Sequence, residues 1–92
     1  MIHSAAIIEN GAIIGNNTSV GAFSYIGSNV VLGDNINIYP HVIIDGHTKI
    51  QDNASIYPNA TIGMSPQDYK YKDEITYIEI GKNCVIREHV TI

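Results

Sequence analysis

Written in sixes, residues 11–62 read GAIIGN NTSVGA FSYIGS NVVLGD NINIYP HVIIDG HTKIQD NASIYP NATI. The fourth position of each block is aliphatic: Ile14, Val20, Ile26, Leu32, Ile38, Ile44, Ile50, Ile56 and Ile62. The series extends back to Ile8 and Ile2, and Ile80, Ile86 and Ile92 resume it in phase. Ile, Val and Leu supply about a quarter of the chain, so eleven consecutive hits have a chance probability on the order of one in a million. A helix would repeat at about 3.6 residues and a half-buried strand at about 2, so neither period governs this chain.

A second column runs two residues ahead of the first: Ala6, Ala12, Thr18, Ser24, Val30, Ile36, Val42, Thr48, Ala54 and Ala60. Residues two apart in a strand share a face, so both columns can point inward. Three residues after each aliphatic comes Gly11, Asn17, Asn29, Asn35, His41, His47, Asn53, Asn59 or Asn83. Gly, Asn and His are the types that best tolerate a positive φ. Each unit is therefore a short strand and a sharp corner, and three units close a triangle. The expected fold is all-β: a single-stranded parallel β-helix shaped as a triangular prism, its coils about 4.8 Å apart. The hexapeptide period identifies the left-handed form, an exception to the right-handed crossover rule. Tyr39-Pro40 and Tyr57-Pro58 fall one coil apart and should stack at one corner.

Composition agrees. The 92 residues form one domain, 1–92, with 18 isoleucines and a single leucine, Leu32. β-Branched side chains suit a pleated surface. Net charge is −4 with five basic residues, which argues against a nucleic-acid partner or an anionic membrane surface. The single cysteine, Cys84, excludes an intrachain disulfide and falls in the small inward column, where a buried structural thiol is expected. The start lacks a basic n-region, and Gly, Asn, Ser and Thr interrupt the uncharged stretch 10–33. Neither a signal peptide nor a membrane span is expected, and the chain reads as cytoplasmic.

Only residues 64–78 leave the repeat, and they hold five of the chain's fourteen charges. Long excursions from a regular scaffold tend to carry function. Within this loop Gln67, Asp68 and Lys70 are the binding candidates: a carboxylate accepts from sugar hydroxyls, an amide donates and accepts, and an ammonium meets a phosphate. His41, His47 and His89 occupy equivalent corner positions, and His41 and His47 are too far apart on successive corners to share a metal within one chain, which leaves only a site between subunits with a third ligand that the sequence does not name. Neither a nucleophile–base arrangement nor a Gly-rich phosphate loop stands out, so no catalytic residue, metal or cofactor is assigned. Glu79 and Glu88 read as solvated charges. One outward face shows Ile7, Tyr25 and Ile43, a second Ile13 and Val31, and a third Ser19, Asn37 and Ser55. Two apolar faces and a polar one suit a threefold assembly.

Ile-Asp-Gly-His-Thr-Lys-Ile (44–50), Pro-Gln-Asp-Tyr-Lys-Tyr (66–71) and Ile-Arg-Glu-His-Val-Thr-Ile (86–92) resemble bacterial UDP-N-acetylglucosamine O-acyltransferase. The resemblance covers all 92 residues, which correspond to roughly the first third of a family chain. It implies a cytoplasmic homotrimer of left-handed β-helices that moves a 3-hydroxyacyl group from acyl carrier protein to the 3-hydroxyl of UDP-N-acetylglucosamine, the first step of lipid A synthesis. It places Gln67, Asp68 and Lys70 in the substrate cleft between subunits. The family's base is a histidine and its oxyanion donor a backbone N–H, groups suited to attack on a thioester. None of His3, His41, His47 or His89 corresponds to that base, so the resemblance implies a catalytically incomplete piece. Alternatives are a β-helical assembly or binding module and another hexapeptide enzyme, such as a sugar N-acyltransferase or γ-type carbonic anhydrase. The Gln-Asp-x-Lys-Tyr loop argues against the last group.

Overall fold

The computed structural model describes residues 1–64 and 77–92. Twelve short strands follow one another: β1 Ile7–Ile8, β2 Ile13–Ile14, β3 Ser19–Val20, β4 Tyr25–Ile26, β5 Val31–Leu32, β6 Asn37–Ile38, β7 Ile43–Ile44, β8 His47–Ile50, β9 Ser55–Ile56, β10 Thr61–Ile62, β11 Tyr77–Ile80 and β12 Val85–Ile86. They form three four-stranded parallel sheets in the orders β1-β4-β7-β10, β2-β5-β8-β11 and β3-β6-β9-β12. Each strand pairs with the third strand after it, so the chain winds as a three-sided parallel β-helix, of the left-handed form that the hexapeptide period predicts. Bridges from Ile2 to Val20 and from Thr61 to Thr91 add a further rung to two of the sheets.

The hexad register holds. Ile8, Ile26, Ile44 and Ile62 pair in one column, and Ile14, Leu32, Ile50 and Ile80 in the next. Ile26, Ile44, Ile56 and Ile62 are fully buried, while Ile8 and Ile14 pack against the core from the first coil. Cys84 lies partly buried against the same core.

The inward hydroxyls are satisfied by the geometry of the corner. Thr18 Oγ1 donates to the Gly33 carbonyl at 2.7 Å and accepts from the Ile36 N–H; Ser24 Oγ donates to the Tyr39 carbonyl at 2.8 Å and accepts from the Val42 N–H. A buried hydroxyl without partners would be costly, and here each one stitches two coils together. Outside the core, Asp34 Oδ1 accepts from the Asn16 N–H and Asp52 Oδ1 from the Asp34 N–H, both at 2.8 Å, a carboxylate ladder along a second corner.

Tyr39 and Tyr57 stack as expected, with ring centroids 4.6 Å apart, and the Arg87 guanidinium covers Tyr57 at 4.2 Å. Asn17, Asn35, His41, Asn53, Asn59, Asn83 and His89 are all left-handed. Three corner details differ from expectation. Asn29 does not adopt a positive φ, whereas Phe23 does, at 61°, with its ring stacked over His41 at 5.3 Å. A bulky residue in this region costs on the order of 1 kcal/mol. His47 is not a corner residue but the first residue of β8, because Gly46 takes the left-handed turn one position early.

The excursion also ends sooner than residue 78. Tyr77 and Ile78 belong to β11, which pairs over four residues with β8: Tyr77 with His47, Ile78 with Thr48, Glu79 with Lys49, Ile80 with Ile50. The early turn at Gly46 lengthens β8 at its start, and β11 follows it.

Candidate functional site: the root of the excursion

The excursion leaves the prism after Gly63 and returns at Tyr77. Gln67, Asp68 and Lys70 lie outside the described residues. The flanks of the excursion are described, and they define a groove of about 460 Å³ on the β5-β8-β11 face. Asn29, Val31, His47, Thr48, Lys49, Tyr77, Ile78 and Glu79 line it. The rings of His47 and Tyr77 meet at 5.2 Å, tilted by 54°. Lys49 is exposed beside them, and Glu79 accepts a hydrogen bond from Gln51 Nε2. The solvated reading of Glu79 therefore holds, as it does for Glu88, an exposed partner of Arg87 at 3.1 Å.

Two glycines shape this corner. Gly46 and Gly63 have φ of 67° and 79°. A Cβ on Gly63 would overlap the Asp45 carbonyl oxygen, and one on Gly46 would come within 2.7 Å of the Gly63 carbonyl oxygen. Only glycine allows the two backbones to approach this closely in the left-handed region.

On the adjoining β1-β4-β7-β10 face, the Tyr25 hydroxyl donates to Glu9 Oε2 at 3.3 Å. Desolvation, and then the negative charges of Glu9 and Asp45, raise its phenol above the ordinary tyrosine range.

Among the described residues the groove offers an imidazole, a phenol, an ammonium and a carboxylate as recognition groups. Among the described residues no three His, Cys, Asp or Glu side chains converge on a metal-sized site. The buried hydroxyls bond backbone carbonyls, and the His3 Nδ1 accepts from the Ala5 N–H. No described hydroxyl or thiol is hydrogen-bonded to a histidine. Sequence reading did not identify His47 and Tyr77 as partners. The signal was available in the arithmetic of the repeat, since Ile80 pairs with Ile50 after one coil plus the insertion, which brings Tyr77 over His47.

The described residues form a hexapeptide prism with a groove where the excursion returns to it. The bacterial transferase hexapeptide model (six repeats) matches residues 11–46. More particularly, the whole chain is similar to a UDP-N-acetylglucosamine acyltransferase from Bacteroides fragilis 9343, with 45% identity and a TM-score of 0.92 over 100% of this chain and 36% of that one. A UDP-N-acetylglucosamine O-acyltransferase from Moraxella catarrhalis RH4 gives 42% identity and a TM-score of 0.91 over 98% of this chain and 35% of that one. The acyl-[acyl-carrier-protein]–UDP-N-acetylglucosamine O-acyltransferase of Thermodesulfovibrio yellowstonii is 62% identical over 32 residues, which are 35% of this chain and 12% of that protein. The chain thus spans about a third of the length of these two solved structures. Among the described residues no helix is long and apolar enough to cross a membrane.

Proposed function

We propose that this chain is the N-terminal part of a cytoplasmic enzyme that transfers a 3-hydroxyacyl group from acyl carrier protein to the 3-hydroxyl of UDP-N-acetylglucosamine, the first step of lipid A synthesis. The match along the whole chain to the Bacteroides fragilis acyltransferase carries this reading. In it Gln67, Asp68 and Lys70 bind the sugar nucleotide. A histidine outside residues 1–92 removes the proton of the sugar hydroxyl as that oxygen attacks the thioester carbonyl, and a backbone N–H stabilises the resulting oxyanion. The thiol of the carrier leaves, and no covalent enzyme intermediate is required.

In the full-length enzyme Asp68→Ala should lower kcat/KM for UDP-N-acetylglucosamine by about 10- to 100-fold, the loss expected for a charge-assisted hydrogen bond. Circular dichroism should be unchanged, because position 68 lies outside the hexad core. Steady-state kinetics equal to wild type would remove the loop from substrate binding.

The enzyme acts as a homotrimer in this reading. Alone, the protomer leaves Ile7 56% and Ile13 60% exposed, and Ile43 37%. Ile7 and Ile13 begin two of the faces; the first continues through Tyr25 and Ile43 to Thr61 and Thr91, and the second through Val31 to Lys49 and Glu79. The third face carries Ser19, Asn37 and Ser55, with Val85 at its end. Sedimentation should give three protomer masses, reduced toward one by Ile7→Asp or Ile13→Asp and unaffected by Ser19→Asp. A trimer broken by Ser19→Asp and indifferent to the other two would assign the contacts to the wrong faces.

A further inference from the structure

The aromatic column at the corner between the third and first faces stops at Tyr39. Arg87 lies over Tyr57, and Tyr57 stacks on Tyr39 with ring centroids 4.6 Å apart and planes 11° from parallel. One coil earlier the equivalent residue is Gly21, whose N–H donates to the Ile38 carbonyl as the Tyr39 N–H does to the Ile56 carbonyl. No side chain can extend the column there: a Cβ on Gly21 would come within 2.6 Å of the Pro40 nitrogen and 2.7 Å of the Tyr39 carbonyl carbon. Tyr57 is half-buried inside the column, whereas Tyr39 at its end is 38% exposed. A shallow cavity of about 290 Å³ lies against Tyr39, lined by Ser19, Asn37, Ile38, Tyr39 and Pro40. It takes in Ser19 from the coil of Gly21 and not Ser55 from the coil of Tyr57, so it lies on the uncovered side of the ring. Ser19 and Asn37 pair in register, one rung or about 4.8 Å apart.

We propose that this cavity binds a neutral pyranose ring. The C–H face of the sugar rests on the uncovered face of Tyr39, and the Asn37 amide and Ser19 hydroxyl meet hydroxyls on its edge. The lining selects this class of ligand. A pyranose combines an apolar face with a rim of groups that both donate and accept, and an amide and a hydroxyl do the same. Ser19 Oγ accepts from the N-terminal ammonium at 3.5 Å, which leaves its O–H to donate. No lining side chain carries a charge, and the N-terminal ammonium is engaged by the Thr18 carbonyl at 3.1 Å, so a neutral ligand fits better than a phosphate or carboxylate. The Tyr57 and Arg87 stack holds Tyr39 in place beforehand, and a preformed platform loses little freedom on binding. The site lies on the polar face and is independent of the proposed transfer reaction.

Saturation-transfer NMR of the full-length protein with methyl β-D-glucopyranoside tests the site. A ligand of this size at ordinary ligand efficiency gives a Kd of about 1 mM. Tyr39→Ala should weaken binding by at least about 10-fold, and Tyr39→Phe, which keeps the ring, should stay within about 2-fold of wild type. Asn37→Ala should weaken it by about 5- to 10-fold through the lost hydrogen bond. Asn37 is exposed, so that variant should keep the thermal midpoint of wild type and separates binding from folding. Absence of saturation transfer at about 10 mM glucoside, ten times the expected Kd, would overturn the proposal. Wild-type affinity in either Tyr39→Ala or Asn37→Ala would overturn it too, by placing the sugar elsewhere on the protein. A loss in Tyr39→Phe as large as that in Tyr39→Ala would overturn the stacking on which it rests.

Discussion

The 92-residue chain, given acyl carrier protein thioester and UDP-N-acetylglucosamine, should transfer acyl groups at least about 10²–10⁴-fold more slowly than the full-length enzyme, the range attributable to a general base alone. The four histidines explain the expectation. His3 Nδ1 is occupied by the Ala5 N–H, His41 lies under the Phe23 ring, His47 packs on Tyr77, and His89 holds an exposed left-handed corner. Among the described residues none is hydrogen-bonded to a carboxylate that would orient it as a base. The measurement is a carrier-dependent transfer assay with both proteins at equal concentration. Turnover by the short chain at the full-length rate would place the base among His3, His41, His47 and His89 and would invalidate the alignment behind the proposed function.

The largest expected effect on stability is at Ile44. Its side chain is fully buried and lies between Ile26 and Ile62 in the column of the β4, β7 and β10 strands. Ile44→Ala should destabilise the fold by about 2–5 kcal/mol through lost burial and the cavity left behind. In a solenoid each coil touches only its neighbours, so a void in a middle coil weakens the contact on both sides. Asn37→Ala, at an exposed position of the polar face, is the control and should change stability by less than about 0.5 kcal/mol. Urea denaturation followed by circular dichroism distinguishes the two. Equal midpoints for Ile44→Ala and wild type would mean that the column is not the core.

The period of six was legible because it is a local signal repeated along the chain. The inward column and the Tyr39–Tyr57 stack follow from adding eighteen to a residue number, and the structure contains both, but the division of the outward faces holds only in the early coils, because Lys49 and Glu79 continue the second face and Val85 the third. Cys84 and Glu79 were legible for the same reason: their place in the unit settles whether they face the core or the solvent.

What the sequence could not determine is what happens where coils meet out of strict repetition. Phe23 takes a left-handed corner although its residue type disfavours it, and its ring there stacks on His41 in the next coil. Asn29 has the permissive residue type and does not use it. At the third corner Gly46 turns one residue early, which moves His47 into a strand, lengthens β11 to meet it and brings Tyr77 back onto the prism. A hexad predicts which way a side chain points because that depends on its own backbone. It does not predict which corner bends early or what seats the ends of an insertion, because those depend on contacts between residues tens of positions apart, and only the stacked coils decide them.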